Sequence, residues 1–111
     1  MTEVNIKSCP GRIRIRAEGH AGWGCKNGLP EGHDIVCAAI SILLQTAAQR
    51  LMDLEAERKV LLLKMQLNPG NVDITASIAP EASEAVNELL KTIETGFKLL
   101  EAAYGAHIHL G

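Results

Sequence analysis

Cys37 stands three residues after Asp34, where a run of helically spaced apolar residues begins. Asp34 suits a helix N-cap, so the cysteine falls in the first turn, where unpaired backbone N–H groups and the helix dipole favour an anion. That setting favours the thiolate, which is the nucleophilic form. The same position also fits a small buried hydrophobe among Ile35, Val36, Ala38 and Ala39, and position alone leaves both readings open. His20, within Gly19-His20-Ala21-Gly22, supplies what a cysteine nucleophile needs: an imidazole that takes the thiol proton and returns it to a departing amine. Its glycine neighbours let backbone or substrate approach closely. Asp34 could cap the helix or orient a histidine, and the cap is preferred because it needs no other residue to explain it. Ser41, one turn beyond Cys37 on the same face, could hydrogen-bond within the site or bond back to the preceding turn.

Other chemistries are weaker. Cys9, Cys25 and Cys37 are odd in number and include no C-x-x-C pair, a poor disulfide or metal framework. No secretory signal is legible, so the expectation is free thiols in a reducing cytoplasm. Cys25, His33, Cys37 and His20 are possible zinc ligands, but their spacing matches no structural zinc pattern, and neither metal nor cofactor is expected. Cys25 and Cys37 together would suit a redox-sensing thiol protein. Arg12, Arg14 and Arg16 project from one side of a strand and could hold an acidic partner or RNA phosphate, as in a non-catalytic RNA-binding module; a solvated face or a salt-bridge row explains them more simply. The net charge of −2 argues against binding driven by bulk positive charge, so no direct nucleic-acid partner is expected. The wholly apolar runs are too short for a membrane span.

The elements that must position these residues follow from the patterning. The 111 residues suit one domain, and with only Trp23, Phe97 and Tyr104 aromatic its core is aliphatic. Val4 and Ile6 alternate with polar residues, Pro10-Gly11 marks a turn, and residues 12–17 alternate again, which predicts a hairpin. Residues 19–33 are glycine-rich and aperiodic, a functional or mobile loop. A helix is predicted from about residue 35 to about residue 57. Leu61, Leu63, Met65 and Leu67 predict a strand with those side chains on the core, and Asn68-Pro69-Gly70-Asn71 turns into a returning strand through Val72 and Ile78. Pro80 opens a second helix with a stripe from Ala82 to Tyr104, ended by Gly105 in a left-handed cap. Ala106, Ile108 and Leu110 alternate with His107 and His109 in a last strand. The fold class is therefore α/β: a two-layer β-β-α-β-β-α-β domain, one mixed sheet with two helices packed on one face. The opposite face carries the arginine row, Asp73, Thr75, Ser77 and the late histidines, which read as solvated surface residues. Val60 and Leu62 are expected there too, a hint of a second subunit.

The segment Gly32-His33-Asp34-Ile35-Val36-Cys37-Ala38-Ala39-Ile40-Ser41, preceded by Gly19-His20-Ala21-Gly22, resembles the bacterial ribosomal-processing cysteine protease family, Prp. The resemblance extends to length and element order across the chain. It implies an endopeptidase that removes a short N-terminal extension from a large-subunit ribosomal protein, as ribosome assembly requires, and that forms homodimers. Carried over by motif, Cys37 is the nucleophile, His20 the general base, and Asp34 and Ser41 supporting groups. The connection between histidine and helix is longer than is usual in the family, where it regulates access; Gly22, Trp23, Cys25 and Gly32 are its access-loop residues here.

Overall fold

The computed structural model describes residues 1–29 and 33–111; the access-loop residue Gly32 lies outside them. The elements run β1 (Thr2–Cys9), β2 (Arg12–Glu18), α1 (Trp23–Lys26), α2 (Ile35–Ala56), β3 (Val60–Asn68), β4 (Asn71–Ile78), α3 (Ser83–Tyr104) and β5 (Ile108–Leu110), with a 3₁₀ turn, Pro80–Ala82, leading into α3. One five-stranded sheet has the order β3-β4-β2-β1-β5. Among the described residues only the β1–β5 pair is parallel, so the sheet is mixed as expected.

Alternation divides the sheet. Ile13, Ile15 and Ala17 of β2 pair with Ala76, Ile74 and Val72 of β4 and face the core, where Val36, Ile40, Leu44, Leu51, Val86, Ile93 and Phe97 of the two long helices meet them. Arg12, Arg14 and Arg16 pair with Ser77, Thr75 and Asp73 on the open face. By length and composition α2, with a mean hydropathy of 1.5, could cross a membrane. One face of it packs into the core, where Val36, Ala47 and Leu51 are wholly buried, while Ile35 and Ile42 on the other side are exposed.

Four expectations need correction. A bulge between Leu62 and Lys64 shifts the register of β3, so Val60 and Leu62 pair with Ile78 and Ala76 on the core side while Leu61 and Leu63 are exposed. The extra residue reverses the alternation ahead of it, so a uniform period cannot describe the whole strand. Gly105 is right-handed (φ −60°, ψ −15°). The chain leaves α3 through a turn closed by the His107 N–H on the Tyr104 carbonyl at 2.8 Å, which requires no left-handed residue. That turn also removes Ala106 and His107 from the last strand. Finally, the aperiodic stretch contains a regular element: residues 23–26 form one helical turn that starts after Gly22 at φ 75°.

Candidate active site

The site is assembled where β2 stops. Glu18 ends the strand and Gly19, at φ 92°, redirects the chain; a β-carbon there would collide with the Met1 carbonyl. Only glycine suits this position. Its N–H donates to the Gly70 carbonyl at 2.9 Å, and its own carbonyl accepts from Thr2 Oγ1 at 3.2 Å. The segment is thus tied to the β3–β4 turn on one side and to β1 on the other. His20 follows with its ring exposed, and then Ala21, only 2% exposed, dips into the core.

Cys37 sits in the first turn of α2, half-buried. Its Sγ accepts a hydrogen bond from the Ala21 N–H at 3.4 Å. The thiol is therefore not sealed among aliphatic side chains: it meets a backbone donor and opens onto two clefts. One, of about 270 Å³, runs toward the β3–β4 turn along Ile40 and Leu44. The other runs beneath α1 past Gly22, Cys25 and Leu29. His20, Cys37 and Ser41 border both. Among the described hydrogen bonds none joins His20 to Cys37, so the two share a cleft wall without being engaged.

Asp34 holds this geometry. Oδ1 accepts from the Cys37 N–H at 2.9 Å, which is the N-cap bond, and Oδ2 accepts from the Gly24 N–H at 2.9 Å. Burial raises the cost of its charge, yet the backbone N–H groups of Gly24, Cys37 and Val36 outweigh this and hold the carboxyl below the usual carboxylate range. Gly24 makes the approach possible, since a β-carbon on it would lie 3.1 Å from Asp34 Cβ. Asp34 is thus a cap and a clasp between two helices.

Ser41 faces the clefts one turn after Cys37 as the spacing requires, and its Oγ accepts from Gln45 Nε2 at 3.4 Å rather than bonding the preceding turn. Of the access-loop residues, Gly22 and Cys25 line the second cleft and Trp23 packs against the core. Cys25 is exposed. Among the described residues no three of His, Cys, Asp and Glu converge as a metal-binding set. The arginine row is partly engaged within the chain: Arg14 pairs with Asp73 at 2.9 Å and Arg16 with Glu18, which reduces its reach toward phosphate.

Three participants escaped the sequence reading. Gly70 backs the His20 ring, the Ala21 N–H serves the sulfur, and His107 Nδ1 lies 2.9 Å from the Ala21 carbonyl. The motif Gly19-His20-Ala21 contained the second, but no local pattern points from residue 107 to residue 21. His107 and His109 do not act as a surface pair, because His109 Nδ1 turns to Glu101 at 3.3 Å.

This arrangement, a half-open thiol at a helix start facing clefts that an imidazole also borders, coincides with a match to the family model described as Cysteine protease Prp over residues 1–109. The chain belongs to the Prp cysteine protease family. The fold is shared with known structures. A crystal structure of an essential ribosomal processing protease Prp from S. aureus, with a covalently linked product peptide, superposes with TM-score 0.75 at 24% identity, covering 100% of this chain and 98% of that one. The same S. aureus protease with a substrate peptide gives TM-score 0.68 at 21% identity, with 100% and 98% covered. A Streptococcus mutans protein gives TM-score 0.66 at 23% identity over 99% of this chain and 91% of that one. No curated protein matches the chain.

Proposed function

We propose that this Prp-family chain is a cytoplasmic endopeptidase that removes a short N-terminal extension from a bacterial large-subunit ribosomal protein, a step in ribosome assembly, and that it works as a homodimer without a cofactor. The observation that carries the chemistry is Cys37 Sγ at the start of α2, half-buried and open to two clefts that His20 also borders. The substrate class rests on family membership and on the S. aureus relative, a ribosomal processing protease crystallised with substrate and product peptides.

In the mechanism, an extended peptide lies across the two clefts with its scissile carbonyl over Sγ. His20 swings from the β3–β4 turn and takes the thiol proton. The Cys37 sulfur bonds to the carbonyl carbon, and the C–N bond breaks as His20 returns the proton to the departing amine. Water, deprotonated by His20, then attacks the thioester, and the C–S bond breaks to release the acid and restore the thiol. The oxyanion needs a backbone donor. The Cys37 N–H is held by the Asp34 carboxylate, whereas the Ala21 N–H is held only by the attacking sulfur at 3.4 Å and can pass from it to the oxyanion on the adjoining carbon, so the Ala21 N–H takes this role.

Incubating the protein with N-terminally extended and truncated forms of the ribosomal protein tests the reading. Cleavage of the extended form alone, lost in both Cys37→Ala and His20→Ala, is the expected result. Parent-like cutting by either variant would remove that residue from the mechanism.

A further inference from the structure

Ala21 has both backbone polar groups committed to residues far away in the chain: its N–H to Cys37 Sγ at 3.4 Å, its carbonyl to the His107 ring at 2.9 Å. A carbonyl only accepts, so His107 Nδ1 carries the proton in this bond. The segment being held has little stiffness of its own. It is flanked by Gly19 and Gly22, both at positive φ.

The mount on the other side is rigid. The His107 N–H is bonded to the Tyr104 carbonyl at 2.8 Å, and its carbonyl accepts from the Thr2 N–H at 2.9 Å. Its half-buried ring thus projects from a backbone fixed to the end of α3 and to the first residue of β1, while the next residue, Ile108, is fully buried. Thr2 is itself buried and also bonds Gly19 through its hydroxyl, so the same corner of the core grips the segment before and after His20.

We propose that His107 is a positioning residue for the cysteine site: its Nδ1–H fixes the Ala21 carbonyl and thereby keeps the Ala21 N–H aimed at Cys37 Sγ. The inference rests on Cys37 being the reactive thiol, and it extends that reading to a residue outside the motif. Loss of the ring bond frees Ala21 to rotate, and the donor then leaves both the sulfur and the oxyanion that forms on attack. A single such bond corresponds to about a five- to tenfold effect.

The test compares His107→Asn, whose amide N–H can stand near the Nδ1 position, with His107→Leu, which fills similar space without a donor. Two readouts are taken for each: the rate at which iodoacetamide labels Cys37 at neutral pH, followed by mass spectrometry of its peptide, and kcat on the extended ribosomal peptide. His107→Leu is expected to slow Cys37 labelling and kcat about five- to tenfold with KM little changed, and His107→Asn to recover most of both. A purely structural ring would lower the melting temperature of both variants without separating them in labelling. The proposal is overturned if Asn and Leu label Cys37 alike, whether at the parent rate or equally slowly. If Leu does not fold, Asn alone decides, since parent-like labelling supports the bond and lost labelling overturns it. Because labelling needs no peptide, a parent that fails to cleave condemns the proposed function and leaves this inference standing; a cleaving parent with no Asn–Leu difference does the reverse.

Discussion

The ring of His20 lies against Gly70 so closely that a β-carbon on the glycine would stand 2.7 Å from Nε2 and 2.9 Å from Cε1. The β3–β4 turn is therefore the wall that backs the imidazole, and the Gly19 N–H bond to the Gly70 carbonyl fastens the two together. A turn that looks generic in sequence sets where the proposed base resides.

Gly70→Ala tests this wall. At φ 73° alanine is strained by about 1 kcal/mol, and its methyl group must also displace the imidazole. The expected outcome is a modest loss of stability with a larger loss of peptide cleavage, about tenfold or more, because a displaced base cannot reach the sulfur. Labelling of Cys37 by iodoacetamide should change little. Cleavage at the parent rate would show that the turn does not constrain His20.

Asp34→Ala should destabilise the chain by about 1–2 kcal/mol, the range for a lost N-cap, as read by urea unfolding. Asp34→Asn should fall between parent and alanine, because a carboxamide has one oxygen and cannot accept from both Cys37 and Gly24. If Asp34→Asn abolished cleavage while matching the parent in stability, the carboxylate would have a chemical role beyond capping and clasping.

Local pattern carried the helix start, the cap, the cysteine in the first turn and the matched faces of β2 and β4, because each is fixed by periodicity or by residues a few positions apart. Asp34 as N-cap and Ser41 beside Cys37 are of this kind. The β3 bulge was hidden, since Leu61 to Leu63 are all leucine and no polar residue marks which one is extra. The contacts of His107 with Ala21 and of Gly70 with His20 were hidden for another reason. They join residues far apart in sequence, and only the packing of α3 and the pairing of β2 with β4 bring them together.

Asp73 predicts an acid-sensitive element. It is buried at 5% exposure on the open face, where the Arg14 hydrogen bond, opposed by burial and reinforced by Lys64, holds its carboxyl well below the usual range. A carboxyl whose folded value is depressed adds stability above its unfolded value, about 3.9, and loses it as pH falls through and below that point. Thermal unfolding from pH 6 down to pH 2 should therefore show a steeper decline for the parent than for Asp73→Asn, with the two curves approaching each other at the acid end. Parallel curves would mean that the Arg14–Asp73–Lys64 cluster contributes nothing to stability.

Leu61 and Leu63 locate a test of the proposed homodimer. Both are thrown outward by the bulge on β3, an edge strand, and are 59% and 46% exposed. Exposed leucines on an unpaired edge are the kind of surface that association covers. A homodimer using this edge should be weakened by Leu61→Lys with Leu63→Lys, giving a monomer by sedimentation at concentrations where the parent is dimeric. Neither side chain reaches the core, so the fold should tolerate the change with an unaltered circular dichroism spectrum. An undiminished dimer in the double variant would move the interface elsewhere, and a parent that sediments as a monomer would remove the homodimer from the proposal.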